Sequence, residues 1–332
     1  MTSGGRPVSF GLRQLNQERI VFAIAAALFV GFSILIPNFL TAGNILSLIQ
    51  NVSILGILGI GMAQAIIGRG IDLSIVAVMA MSVAWCLDLM TRGLDAPLAL
   101  LAGFAMAVIV GLINGFLIAY VEIPAIFATL AMATVVYGFG QYFLVPTDVT
   151  YLSSSAGWLK NIGSGDLVGV PSPVIVFAIL CALAFLFLRY TKPGRFIYAM
   201  GDNPTGARVT GIPTRPMMVL QYVLAATIAF IAGIVTATAV NSMSTRVVNS
   251  TLVYDVILVA VIGGVGLSGG KGGVRNVIVG TLLIGILLNG MTILDLPYTA
   301  QNIVKGLILL VAIVVDSIVN PRDEQTAQQG DI

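Results

Sequence analysis

Residues 45–74 read ILSLIQNVSILGILGIGMAQAIIGRGIDLS. No side chain between Ile45 and Ile67 carries a charge, and Arg69 and Asp72 then close the run. A helix needs about 20 predominantly apolar residues to cross the hydrocarbon of a bilayer, and this stretch supplies them. Gly56, Gly59 and Gly61 within it let neighbouring helices approach closely in lipid, where leucine against leucine gains little. Working outward, further apolar runs lie at roughly 20–36, 73–91, 97–120, 124–145, 173–189, 217–240, 252–267, 276–293 and 300–319. The fold class expected is all-α, a polytopic membrane helical bundle of about ten transmembrane helices. The run at 252–267 is short and rich in glycine, which predicts a broken or partly re-entrant helix.

Composition agrees. Of 332 residues, 58% are hydrophobic and 9% are charged, against roughly 25% charged in an ordinary soluble domain. The net charge of +2 gives no reason to expect a nucleic-acid partner. The chain has no histidine, and its two cysteines, Cys86 and Cys181, lie inside apolar runs. Metal sites of the usual Cys/His kind and histidine-based triads are thereby excluded, so no metal or catalytic residue is expected. The basic, polar start of the chain could pass for a signal peptide. The run at 20–36 is too long for one, and Pro37-Asn38-Phe39 follows it in place of a cleavage site. It reads as the first span.

Ten spans place both termini on one side. With the N-terminus in the cytoplasm, twelve basic residues fall inside: Arg6, Arg13, Arg19, Arg69, Arg189, Lys192, Arg195, Arg208, Arg215, Lys271, Arg275 and Arg322. Only Arg92, Lys160 and Arg246 fall outside, with Lys305 near a span end. This is the bias of the positive-inside rule. The chain then divides into a cytoplasmic N-terminal segment (1–19), a membrane domain (20–319) and a cytoplasmic tail (320–332). The polar loop 146–172 faces outward. The loop at about 189–216 faces inward, and in it Thr205 to Gly211, fenced by Pro204, Pro213 and Pro216, predicts a short surface helix. The basic residues before it, Arg189, Lys192 and Arg195, read as orientation signals.

The segment Gly264-Val265-Gly266-Leu267-Ser268-Gly269 matches a dinucleotide fingerprint in letters only, because it ends a span and lacks a βαβ setting. Gly270-Lys271 lacks the remaining P-loop residues, so ATP is not bound through it. Asp72 suits a helix N-cap at the start of the third span. Asp88, Asp255, Asp295 and Asp316 fall at span ends within reach of water. A proton- or sodium-coupled carrier would be expected to bury a carboxylate near mid-membrane, and none is evident. Neutral polar residues within spans include Asn51, Gln64, Asn114, Thr129 and Asn289. Each can serve an interhelical hydrogen bond; together they suit a translocation path for a neutral, hydroxyl-rich solute.

Ordered blocks along the chain carry a family resemblance. They are Pro37-Asn38-Phe39-Leu40-Thr41, Gly68-Arg69-Gly70-Ile71-Asp72-Leu73-Ser74, Gly111-Leu112-Ile113-Asn114-Gly115, Ile123-Pro124-Ala125-Ile126-Phe127-Ala128-Thr129-Leu130, Gly201-Asp202-Asn203-Pro204-Thr205-Gly206-Ala207-Arg208-Val209-Thr210-Gly211-Ile212 and Val261-Ile262-Gly263-Gly264 running on to Gly272. Over nearly its full length the chain resembles the permeases of ribose-, xylose-, arabinose- and galactose-type bacterial ATP-binding-cassette importers. The resemblance implies a permease subunit in the bacterial cytoplasmic (inner) membrane that moves a monosaccharide or polyol by alternating access. It implies a second permease chain, a cytoplasmic ATPase that uses ATP and Mg, and an extracytoplasmic sugar-binding protein as partners, besides membrane lipid. This chain itself would bind no cofactor. Gly201, Asn203, Pro204, Ala207, Arg208 and Gly211 would dock the ATPase. Gly70, Asp72, Ser74, Gly269, Gly270 and Lys271 would shape the cytoplasmic mouth. Thr205-Gly206 stands where the family commonly has Glu-Ala, and Ile75-Val76-Ala77 where it often has Val-Gly-Ser, so the dock and the start of the third span depart from the pattern. The rival readings are a related importer of branched-chain amino acids or nucleosides, and an ion-coupled secondary carrier.

Overall fold

The protein is described here by a computed structural model that covers residues 17–167 and 169–319. Most of the expected N-terminal segment 1–19 and all of the tail 320–332, with Arg6, Arg13 and Arg322, lie outside the described residues; Gln17 to Arg19 already belong to the first helix. The helices are α1 (Gln17–Leu35), α2 (Ala42–Ile67), α3 (Ile75–Thr91), α4 (Ala96–Ala119), α5 (Ala125–Phe139, continued by a π-helical turn Gly140–Leu144), α6 (Lys160–Gly163), α7 (Ser172–Tyr190), α8 (Lys192–Asp202), α9 (Pro204–Val209), α10 (Thr214–Val240), α11 (Leu252–Gly263), α12 (Val274–Ile293) and α13 (Tyr298–Val319). Four short strands, β1 (Val149–Tyr151), β2 (Asp166–Leu167), β3 (Val170–Pro171) and β4 (Ser242–Ser244), lie between them.

Every apolar run becomes one helix, because a chain in lipid must satisfy its backbone groups internally. Among the described residues seven helices are long and apolar enough to cross a membrane: α1, α2, α4, α5 with its π turn, α7, α10 and α12. The apolar helices α3, α11 and Tyr298–Val314 of α13 are shorter. The chain is an all-α polytopic membrane protein. Helix α11 stops before the end of its apolar run, at Gly264 with φ +99°.

The centre of the bundle is α2, buried almost continuously from Val52 to Ile67. Around it, α10 packs on α4, α2 and α3, while α12 packs on α1, α11 and α2. Helix α4 meets α10 backbone to backbone: a Cβ added at Gly111 would lie 2.8 Å from Tyr222 O, and one at Gly115 would lie 2.6 Å from Val219 Cα. Such approach replaces the hydrophobic drive that lipid removes. Large apolar side chains such as Phe22, Leu101, Phe127 and Leu307 point outward, as a lipid-facing surface requires.

Contacts sort the loops into two ends. At one end Arg69 reaches Gly201, Glu122 pairs with Arg215 at 2.8 Å and Tyr198 reaches Gly272. Both described ends of the chain arrive there too: Gln17 Nε2 donates to Ile262 O (3.5 Å), and Leu267 N–H donates to Asp316 Oδ2 (3.1 Å). At the other end β1 and β4 pair antiparallel, with Thr150 opposite Met243, and Arg246 pairs with Asp148 at 2.5 Å. The polar loop 146–172 belongs to this end.

Three expectations need correction. Asp255 is not at a wet span end. It is buried, with Lys305 Nζ 3.0 Å from each of its carboxylate oxygens. Asp316 is likewise buried, accepting the Leu267 amide. The first half of the loop at 189–216 does more than signal orientation. It forms α8, whose N-cap Thr191 accepts the Gly194 N–H at 3.1 Å, with Pro193 in the first turn.

Candidate functional site

Helices α8 and α9 form a hairpin beyond the bundle. The Asn203 side chain caps α9, its Oδ1 accepting the Gly206 N–H at 2.8 Å, and Pro204 occupies the first turn. The other end closes with Gly211 N–H on Arg208 O and Ile212 N–H on Ala207 O, both 3.0 Å. This closure needs a left-handed residue, and Gly211 has φ +83°. Fixed at both ends, the six-residue helix buries Ala207 and exposes Arg208 and Val209, the latter at 84%. The surface helix expected from the prolines is present, one residue earlier at its start and two at its end.

The hairpin is seated on the bundle by backbone contact. A Cβ at Gly201 would lie 1.8 Å from Ile67 O and 2.5 Å from Gly270 N. The Gly270 N–H donates to Ile67 O at 2.8 Å, with Gly269 and Gly270 at φ +85° and +69°. Arg69 donates from Nε to Gly201 O (2.8 Å) and from Nη2 to Asp202 O (3.1 Å). Tyr198 of α8 donates to Gly272 O at 2.7 Å, and burial pushes its hydroxyl pKa up. Lys271 is exposed in the same glycine-rich loop. The residues read as the mouth and those read as the dock are therefore joined.

The turn between α2 and α3 is braced from within. Asp72 is buried, and its Oδ1 accepts both the Ser74 N–H (2.9 Å) and the Ser74 hydroxyl (2.5 Å). Helix α3 begins at Ile75, and the Asp72 carboxylate accepts the Ser74 N–H just ahead of it, bracing the turn into the helix. Desolvation pushes the Asp72 carboxyl up to about 6, against the pull of its two Ser74 bonds. Asn114 of α4 donates to Ser74 Oγ at 2.8 Å. The Thr129 hydroxyl of α5 accepts the Leu73 N–H (3.0 Å) and lies within donor reach of Ile71 O and Ala125 O. Gly70 leaves room for the Tyr222 hydroxyl, 2.3 Å from where a Cβ would stand.

The residues suited to a translocation path thus separate. Asn114 and Thr129 hold the α2–α3 turn. Asn289 exchanges two hydrogen bonds with Asn44 across α12 and α2, at 3.0 and 2.8 Å. Gln64 is buried within the core. Asn51 alone of the five is exposed on this chain. Sequence reasoning missed Arg69 and the Lys305–Asp255 pair as structural ties. A lysine two turns into an apolar helix was the available signal, since buried charges require partners.

Over residues 44–313 the chain matches the family described as branched-chain amino acid transport system / permease component. It is 30% identical to the ribose import permease protein RbsC of Escherichia coli, covering 91% of this chain and 94% of the relative. It is 33% identical to the RbsC of Bacillus subtilis, covering 86% and 88% respectively. The galactofuranose transporter permease protein YtfT of Escherichia coli is 33% identical, over 83% of this chain and 80% of its own length. No solved structure matches the chain.

Proposed function

The chain belongs to the branched-chain amino acid transport system / permease component family, and from that premise we propose that it is the membrane subunit of an importer for a monosaccharide or related polyol. The family description mentions branched-chain amino acids, but relatives matched over more than four-fifths of this chain are named for ribose and galactofuranose. They favour a sugar over an amino acid or nucleoside. The chain is a transport subunit and not an enzyme. A separate cytoplasmic ATPase supplies the energy, with ATP and Mg acting on that partner, and an extracytoplasmic binding protein delivers the solute to a pair of permease chains. The solute moves by alternating access past neutral groups such as Asn51, with affinity residing in the binding protein.

The observation that carries this reading is the α8–α9 hairpin. A helix capped at both ends, seated on the bundle through backbone and exposing a basic and an apolar residue, is a rigid contact for a partner below the membrane. Membranes holding the whole importer should take up labelled pentose or hexose when ATP is held constant, whether or not the proton gradient is intact. Uptake that collapses with that gradient would establish an ion-coupled carrier instead. In the same membranes Arg208→Glu inverts charge at the docking face. Truncating or opposing a charge that becomes buried at an interface costs about 2–5 kcal/mol, while the same change on a solvated loop costs within about 0.5 kcal/mol. The variant is expected to fold, lose its ATPase on purification and stop transport. Full uptake with a stable complex would end the coupling assignment.

The ten apolar helices of 20–319 cross the bilayer, the shorter ones included, with both ends of the chain cytoplasmic. The shared end of Gln17, Asp316 and the hairpin supports this arrangement. In a background without Cys86 and Cys181, Lys160→Cys should react with an impermeant maleimide in intact cells. Val209→Cys should react only after the membrane is opened. The reverse order would invert the topology.

A further inference from the structure

Arg69 stands in a conformation that side chains seldom adopt. Its φ is +68°, in the left-handed region that favours glycine, and Gly68 and Gly70 flank it. Nothing in the local turn requires a long basic side chain. Its guanidinium acts instead across 132 positions of sequence, donating to the carbonyls of Gly201 and Asp202, the last two residues of α8. Its own amide donates to Ile66 O at 2.9 Å, near the end of α2. Helices α2 and α8 therefore end against each other, C-terminus to C-terminus, where carbonyls without helical partners concentrate negative partial charge. Of those carbonyls, Ile67 O takes the Gly270 amide, and the two at the end of α8 take the arginine. A cation is the group this junction calls for.

We infer that Arg69 is a positioning residue for coupling: it fastens α8 to the inner end of α2, so that displacement of α9 is passed into the bundle rather than absorbed by the hairpin. The inference rests on the coupling role proposed above for that hairpin. Beyond Arg69 the tie is continuous. The same turn carries Leu73, whose amide is held by Thr129 of α5, and Ser74, which is bonded to Asp72 and to Asn114 of α4. A pull on α9 reaches the starts of α3 and α5 and the end of α4 through the Arg69 clamp, the backbone of the α2–α3 turn and the hydrogen bonds that hold that turn.

Arg69→Gly suits the test, because glycine accepts the φ and removes the clamp. In proteoliposomes holding the whole importer, sugar uptake and ATP hydrolysis would be measured together, with the amount of ATPase retained by the permease. The ATPase should be retained and hydrolysis should stay within about twofold, while sugar moved per ATP falls about tenfold, within the range for one coupling residue. Arg69→Lys, which keeps the charge but cannot span both carbonyls in the same geometry, should give an intermediate ratio. An unchanged ratio in Arg69→Gly overturns the inference. Should Arg69→Gly fail to assemble, Arg69→Lys decides: a lowered ratio supports the inference, and an unchanged ratio or a lost complex overturns it. Failure of the underlying coupling reading would look different, since Arg208→Glu would then keep both complex and uptake.

Discussion

Replacing Lys305 by methionine is expected to destabilise the bundle by about 3–5 kcal/mol, the range for stripping one partner from a buried ion pair. The pair is largely buried, with side-chain exposures of 8% for Lys305 and 10% for Asp255. Lys305 Nζ also donates to Thr251 Oγ1 at 2.9 Å and sits 5.6 Å from the centre of the Tyr298 ring. It thereby joins the N-terminal parts of α11 and α13. Methionine fills a similar volume, so the loss isolates the charge left on Asp255. The double variant Lys305→Met/Asp255→Leu removes that charge and should recover most of the stability, since a buried pair is often no better than a packed apolar one. Unfolding midpoints in detergent would decide. A single variant within about 0.5 kcal/mol of wild type would mean that water reaches the pair.

The second large effect is expected at Gly201. An added methyl would stand 1.8 Å from Ile67 O and 2.5 Å from Gly270 N, and both are backbone atoms, bonded to each other at 2.8 Å. No side chain can swing aside to make room. Overpacking of this kind costs about 1–3 kcal/mol and occasionally more, and Gly201→Ala should fall at the upper end. The strain is relieved when the hairpin lifts off, so hydrogen exchange should rise in 192–212 and not in α2, and uptake should fall with it. Gly31→Ala is the control, because nothing lies within 4 Å of its added Cβ. Equal exchange in the two variants would show that the seat is loose.

The architecture was largely legible because lipid imposes one requirement on every span. A long apolar run must be helical, so hydropathy alone located the helices, from Ala42–Ile67 to Tyr298–Val319, within a few residues. Partners distant in sequence were not legible. Asp255 and Lys305 are 50 positions apart, and their registers on two helices decide whether they meet. Asn114 and Thr129 read as path residues because a polar side chain in a span looks the same whether it faces a solute or a turn. Helix α8 was hidden by its charges. Thr191, Pro193 and the apolar Phe196, Ile197 and Met200 carry a capped amphipathic helix, but Lys192 and Arg195 drew the reading toward orientation. Arg69 was counted as a charge, and only the backbone angle shows that it occupies a position favouring glycine.

The clasp of β1 and β4 bears on how this protein can change over generations. Apart from the Thr150 hydroxyl on Met243 O, its joining bonds run between main chains, so it specifies register with little demand on the outward side chains. Thr150 and Met243 are its buried residues, while Val149 and Tyr151 are exposed and Ser242 and Ser244 are half-buried. Substitution at the outward four leaves the ladder intact. The rim at that end can therefore drift in shape and polarity while the helices beneath keep their spacing. A lineage could retune what the rim greets without disturbing the seat at the opposite end, where two glycines and an arginine leave far less latitude.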